Sequence, residues 1–498
     1  MFRENTGVNF ARDVVDRTPS EKLALVELPR EGPRREWTFG EVAERSARLA
    51  GRLQRHGVKR GDVVMTLIGN RPEWVLGMIA CFRIGAVVLP CTEQLRAKDL
   101  RLRLAVARPA LILADERNRA ELEAAADDVE ILYVPDEALF AGEPAVSVEL
   151  AAEDPCLITF TSGTAGEPKA VLHAQRYLDG QRIQAAHWLG AREGDLVWCT
   201  AASGWSKSAR NVFIAPWLSG AAALLHDARF DPAERLDLLE REHVDVLCMA
   251  PTEYRVIAKR ATLRPLSHLR GAVAAGEALN PEVLRAWKQA TGLEIRDGYG
   301  QTETGQMTGT PPGTPARPGS MGRALPGMGL SVVEGELTVD PASVPTFFLG
   351  YIGGEVNRGE DGSWQIEDRR EGGPWLTGDR VSEDEQGWLY FEGRGDDVIV
   401  SAGYRIGPFE VESALVAHPA VAEAAAVAAP DEERGSVVRA VVVLREEAPA
   451  PSPELIRELQ DYVKSQTAPY KYPRIIDFAE ELPKTPSGKI RRAQLRGG

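Results

Sequence analysis

The sequence has little with which to build a metal centre or a disulfide frame. Seven histidines and five cysteines are spread over 498 residues. The cysteines (Cys81, Cys91, Cys156, Cys199, Cys248) are odd in number, lack any Cys-x-x-Cys pair and sit in apolar runs. They read as reduced core thiols, which fits a cytoplasmic protein. The histidines show no zinc-ligand spacing. Basic excess is missing too: a net charge of −14 argues against a nucleic-acid surface or an anionic membrane partner. No apolar run reaches membrane-spanning length. The longest, residues 213–225, contains Pro216 and Gly220, and Met1-Phe2-Arg3-Glu4-Asn5 opens no apolar signal core. Anionic small molecules remain possible ligands if local basic pockets receive them.

Glycine and small hydroxyl residues, by contrast, are concentrated in one stretch. Residues 155–160 form a short apolar strand pattern. Thr161, Ser162, Gly163, Thr164, Ala165, Gly166, Glu167, Pro168 and Lys169 follow it. Glycines let N–H groups converge on an anion, and the hydroxyls and Lys169 add donors and charge. A polyphosphate suits that set, and a flexible Ser/Gly turn is the plain alternative. The Walker A spacing fails, because Pro168 precedes the lysine and Ala170 follows it.

Around this loop, apolar strands alternate with amphipathic helices. Strands are expected over 63–68, 85–89, 110–113, 129–134, 195–200, 221–226, 244–249 and 271–275, and helices over 41–56, 72–82, 232–242 and 281–290. That alternation predicts parallel sheets covered by helices. Asn280 and Pro281 read as a helix start. Residues 330–391 turn to short strands and tight turns, a small β-rich subdomain. Residues 408–478 form a second, small α/β unit.

Three further stretches carry possible chemistry. In 297–304, Tyr299 could stack on a flat ring, Thr302 could donate to a phosphate and Glu303 could hold Mg²⁺. The null is a polar loop. An aspartate on a tight turn, Asp379, could take ribose hydroxyls together with Arg394, although surface turn charges explain isolated residues as well. Residues 401–405 form a polar glycine loop. Near the C-terminus, Pro and Gly place Lys489 on a tight loop that could aim it at a phosphate, where a solvated basic end is the bland reading.

Taken together, the glycine loop, Tyr-Gly-Gln-Thr-Glu (299–303), Thr-Gly-Asp (377–379), Gly-Arg-x-Asp-Asp (393–397) and Pro-Lys-Thr-x-x-Gly-Lys (483–489) resemble the adenylate-forming acyl-CoA synthetases in order and spacing. The runs 204–208, 317–322, 403–412 and 468–474 resemble its medium-chain branch. The resemblance implies an α/β fold: a large N-terminal domain (1–393) of layered parallel sheets with a β-rich subdomain at about 320–393, a hinge at 394–396 centred on Asp396, and a mobile C-terminal α/β domain (397–498). It implies that ATP and a carboxylic acid give an acyl-AMP with release of pyrophosphate, and that CoA then takes the acyl group and releases AMP. Cofactors would be ATP, Mg²⁺ and CoA. Partners would be the acid and CoA, with no nucleic acid, no stable membrane insertion and a homodimer left open.

The resemblance also implies roles. Residues 161–169 would hold the β- and γ-phosphates, while Gly276, Glu277, Asp297, Gly298 and Tyr299 line the adenine, with Gly300 and Gln301 alongside. Thr302 would approach the α-phosphate, Glu303 would hold Mg²⁺, Asp379 and Arg394 would take the ribose, and Lys489 would bridge carboxylate and α-phosphate. Ala402, Gly403 and Tyr404 would form the pantetheine tunnel, with Arg434, Lys464, Tyr472 and Arg474 on CoA. Trp205, Gly300, Thr302, Met307 and Arg405 would line the acyl pocket. Gly300 stands where acetate-specific relatives carry a tryptophan, which implies a longer, branched or aromatic acid. Trp217 is expected in the core. Two alternatives stay open: an adenylation enzyme loading a carrier protein, and a non-catalytic nucleotide or acyl binder.

Overall fold

Helix signals at the N-terminal side are local and strong. The Thr38 hydroxyl accepts from the Glu41 N–H at 3.2 Å, and the Glu41 carboxylate accepts from the Thr38 N–H at 2.8 Å. This reciprocal cap starts the helix Phe39–Arg55, which buries Val42, Leu49, Ala50 and Leu53. Each large apolar side chain so buried contributes about 1.5–3 kcal/mol. The next helix, Pro72–Ile84, begins on proline and stops at Gly85 in a left-handed conformation (φ 72°). Gly85 is therefore a helix cap, and the strand expected from it begins two residues later, at Val87. The computed structural model describes residues 7–126, 128–161, 168–277, 279, 281–359, 361–367, 369–395, 397–401, 404–431, 434–485 and 489–496, without the side chains of 371 and 405.

Two seven-stranded sheets carry the large body. In the first, Val63–Leu67, Val87–Cys91, Leu111–Asp115, Glu130–Val134 and Pro155–Phe160 run parallel, and Ala170–Ala174 then turns back antiparallel against Pro155–Phe160. The short strand Gly350–Tyr351 adds to that edge. In the second, Leu23–Leu28, Ala222–His226, Leu196–Cys199, Val246–Met249, Gly271–Ala275 and Ile295–Gly298 are parallel, with Arg35–Thr38 antiparallel at one end. The central strands are buried along their whole length, which is why they read as unbroken apolar runs. The expected parallel, helix-covered sheets are present, and the antiparallel edges are additions that the alternation did not reveal.

Beyond them, Leu330–Val333, Glu336–Val339, Trp375–Glu383 and Leu389–Arg394 make a four-stranded antiparallel sheet. The chain then changes layer. Ile399–Ser401 pairs with Tyr404–Ile406, so most of the supposed glycine loop at 401–405 belongs to a strand pair. Val421–Asp431, Gly435–Leu444 and Ile475–Phe478 form a three-stranded sheet. The helices Pro408–Ala417 and Pro453–Gln466 bury Val411, Leu415, Leu459 and Val463 against it. The five cysteines are free and buried, and Trp217 is buried with its indole N–H on the Ala24 carbonyl at 3.0 Å.

Candidate active site

A cleft of about 1670 Å³ lies where the C-terminal ends of both large sheets, the β-rich sheet and the small C-terminal unit meet. The two described ends of the glycine loop, Thr161 and Lys169, line it. Because Pro155–Phe160 and Ala170–Ala174 are antiparallel neighbours, the loop is a hairpin connection. Thr161 and Lys169 close its base: the Thr161 N–H donates to the Lys169 carbonyl at 2.9 Å, and the Lys169 N–H donates to the Thr161 hydroxyl at 3.0 Å. Ser162, Gly163, Thr164, Ala165, Gly166 and Glu167 lie outside the described residues.

The Lys169 ammonium stands 4.8 Å from the centre of the Tyr351 ring, and the Tyr351 hydroxyl donates to Glu303 Oε1 at 2.7 Å. Burial, then the Glu303 carboxylate, push the Tyr351 phenol well up, so it stays a donor. Sequence reasoning missed Tyr351: no motif surrounds it, and only its edge-strand pairing with Val171 brings it here. Glu303 offers one hard oxygen-donor group beside this cation. Among the described residues no group of three or more His, Cys, Asp or Glu gathers to hold an ion. A lone carboxylate beside a phosphate loop fits Mg²⁺, which keeps waters and takes substrate phosphate oxygens as ligands.

Across the cleft, Asp379 and Arg394 are register partners on adjacent strands, with their charged groups 3.3 Å apart. Asp379 thus lies within the nine-residue strand Trp375–Glu383, not on the tight turn expected for it. The Tyr299 hydroxyl donates to Asp379 Oδ2, and the Gln301 amide donates to the same oxygen and to the Thr377 carbonyl, each at 2.8 Å. Burial pushes the Asp379 carboxyl up, while Arg394 pulls it down. Burial also pushes Asp297 up to about 8, although its Oδ1 accepts from the Gly298 N–H at 2.8 Å. Glu277 is fixed by the Thr252 hydroxyl at 2.9 Å and the Arg255 guanidinium at 3.0 Å.

Lys489 enters from the C-terminal unit. The Thr485 N–H donates to the Lys489 carbonyl at 2.8 Å, and the Lys489 N–H donates to the Thr485 hydroxyl at 3.1 Å, which closes the expected loop. Loss of water lowers the Lys489 ammonium pKa. Lys207 and Arg394 lower it further, and Glu277 and Asp379 oppose. Lys489 therefore shares one space with both carboxylates. Lys207, whose ammonium donates to the Ala275 carbonyl at 3.2 Å, was visible only inside a run of family resemblance.

Three of the five expected acyl residues meet the cleft, and one is corrected. Trp205, Gly300 and Thr302 line it. Met307 is wholly buried in the core and is not on the wall; Met321 is. The main chain of Arg405 sits in a strand opposite Val400, and its side chain is outside the described set. At Gly300, an added Cβ would stand 1.9 Å from the Gly305 carbonyl oxygen. The close approach of the Gly300–Gln301 and Gly305–Gln306 strands therefore demands glycine there. Its absent side chain is no direct measure of pocket depth.

The residues expected on CoA form a separate surface. Tyr404 is exposed and stacks on Tyr470 at 4.3 Å. Lys464 lies 4.4 Å from the Tyr472 ring, and Arg474 donates to the Tyr472 hydroxyl at 2.8 Å. Arg434 pairs with Asp431 at 3.7 Å. None of Tyr404, Arg434, Lys464, Tyr472 or Arg474 lines the cleft. Ala402, Gly403 and Asp396 fall outside the described residues.

Residues 11–352 match the AMP-binding enzyme family and residues 410–489 match the AMP-binding enzyme C-terminal domain. An uncharacterized acyl–CoA ligase of Bacillus subtilis is 38% identical, over 96% of this chain and 93% of its own length. The mitochondrial acyl-coenzyme A synthetase ACSM4 of Homo sapiens is 38% identical, over 98% of this chain and 90% of its own. Among solved structures, an anthranilate CoA ligase in complex with anthranoyl-AMP superposes with a TM-score of 0.86 at 28% identity, covering 98% of this chain and 97% of that one.

Proposed function

This chain belongs to the AMP-binding, adenylate-forming enzyme family and is an AMP-forming acyl-CoA synthetase that uses ATP, Mg²⁺ and CoA, and we propose that it activates an acid larger than acetate in the cleft that Lys489 enters. A carboxylate oxygen attacks the α-phosphorus as the bond to pyrophosphate breaks. The CoA sulfur then attacks the acyl carbon, and AMP leaves. Neither step needs a dedicated acid–base pair, because positioning and charge stabilisation dominate such transfers.

In this reading Lys489 supplies positive charge between the carboxylate and the α-phosphate as the fifth bond develops. Thr302 donates to the same phosphate. Lys169 and the loop 161–167 receive the outer phosphates. Asp379 and Arg394 take the ribose, and Gly276, Glu277, Asp297, Gly298 and Tyr299 border the adenine. Glu303 would hold Mg²⁺, which neutralises phosphate charge, and Tyr351 orients Glu303. Tyr404, Arg434, Lys464, Tyr472 and Arg474, with Ala402 and Gly403, form the CoA set and reach the cleft after the C-terminal unit turns about Asp396. The observation that carries the reading is that Lys489 shares the cleft with Glu277 and Asp379 while Tyr404, Arg434, Lys464, Tyr472 and Arg474 stay outside it, as an adenylation-ready arrangement requires.

Lys489→Ala is expected to lower acid-dependent pyrophosphate exchange about 10²–10³-fold and to spare thioester formation from supplied acyl-AMP. Equal loss of both would remove Lys489 from this role. A cytoplasmic location, supported by five unpaired buried thiols, and a homodimer, tested by mass in solution, complete the proposal. Among the described residues no helix is long and apolar enough to cross a membrane.

A further inference from the structure

One wall of the cleft is chemically wrong for a plain hydrocarbon chain. Arg210 and Asn211 both line it, and they are 5% and 0% exposed. Arg210 Nε and Nη1 are buried with no hydrogen-bond partner, and so are both polar atoms of the Asn211 amide. Among the described residues no carboxylate pairs with Arg210. Its surroundings are the imidazole of His173, the Cys248 thiol and the phenol of Tyr177, with which the guanidinium makes a side-chain hydrogen bond that leaves Nε and Nη1 unpartnered. Its Nη1 lies 3.4 Å from where a Cβ on Gly305 would stand, so it backs directly onto the hairpin that carries Thr302 and Glu303.

Buried polar groups in folded proteins find partners, and an orphaned charged one is costly. Here four unpartnered polar atoms lie on two adjacent residues that border the cleft, and all are donors save one amide oxygen. A partner that arrives with the substrate resolves both. We propose that the acid carries an oxygen-bearing group at the end remote from the activated carboxylate, a second carboxylate being the best match, received by Arg210 and Asn211. This rests on the reading that the acid is activated at Lys489. A planar guanidinium beside an amide suits a carboxylate, whose two oxygens accept in parallel. Cys199, Cys248 and Trp205 supply the softer remainder of the wall.

The test is pyrophosphate exchange with acids matched in length: pentanoate and hexanoate against glutarate, adipate, 5-hydroxypentanoate and 6-hydroxyhexanoate. Oxygen-bearing acids should exceed their plain counterparts at least about 10²-fold in kcat/KM, since a site built to pair a polar group rejects analogues that lack it. Arg210→Met and Asn211→Leu should each pull that ratio toward one while raising the Tm of the unliganded enzyme, because each removes unpaired buried atoms. Plain acids equal to or better than their oxygenated partners, or a ratio unmoved by both variants, would overturn the inference. The Lys489→Ala control separates the two proposals. Exchange that survives it refutes the role of Lys489, whereas the preference between matched acids reports only on the Arg210 wall.

Discussion

At Asp297 burial changes the chemistry of a carboxyl. Its carboxyl is pushed up to about 8 by loss of water, so near neutrality it keeps its proton and presents a donor to whatever fills the cleft. Between about pH 4 and pH 8 the unfolded chain has ionised this group and the folded chain has not. The folded state then binds more protons, and Asp297 makes stability fall as pH rises through that window, by up to about 1.4 kcal/mol per pH unit, levelling above it. Asp297→Asn should flatten the slope, read as urea midpoints at about pH 5 and pH 8; an unchanged slope would show that Asp297 ionises freely in the fold. At this scale the sequence was a good guide to which residues meet. Lys489, Asp379, Arg394, Glu303 and Thr302 all reach one cleft. It was a poor guide to why. Gly300 is glycine because the Gly305 carbonyl oxygen stands 1.9 Å from its missing Cβ, a long-range closeness that no local pattern reports. Arg210 and Asn211 read as ordinary polar residues in an apolar run until burial made them conspicuous.

Elements with their own start and stop signals were legible. The helix from Phe39 has a reciprocal cap, the helix from Pro281 starts on proline, and Gly271–Ala275 runs over its expected span. Antiparallel edges were not legible, because pairing direction depends on where a hairpin folds back, not on composition. The strand Gly350–Tyr351 is the clearest case: two residues, no periodicity, and yet they deliver the Tyr351 hydroxyl to Glu303. If that hydroxyl orients a Mg²⁺ ligand, Tyr351→Phe should raise the Mg²⁺ needed for half-maximal exchange about 10-fold, the usual cost of losing a partner behind a metal ligand. Titration of exchange against Mg²⁺ decides it, and an unshifted curve would detach Tyr351 from the ion.

At the scale of the whole molecule, one bond between described residues ties the C-terminal unit to a helix of the large body. The Lys259 ammonium, on the helix Pro251–Arg260, donates to the Ala422 carbonyl at 2.6 Å. An exposed bond of this kind contributes about 0.5–1 kcal/mol, so Lys259→Ala should lower acyl-adenylate formation about two- to fivefold relative to thioester formation from supplied acyl-AMP. Equal change in both half-reactions would mean the bond does not favour either arrangement. Inside the small unit the fastening is firmer. Glu412 grips Arg492 through three bonds of 2.8, 2.9 and 3.1 Å, and Arg492 and Arg496 both pair with Asp397. On the other side, Arg394 pairs with Asp379, and the Gly395 N–H donates to the Gly378 carbonyl at 2.7 Å. Residue 395 is thus tied to the large body and Asp397 to the small one, and the Asp397 and Val398 N–H groups both donate to the Arg394 carbonyl at 3.0 Å. Under the turn proposed above, so short a span would trade reach for repeatability, and each swing would tug on Arg394 through those two bonds, so that emptying the proposed ribose site and freeing the joint would become one event.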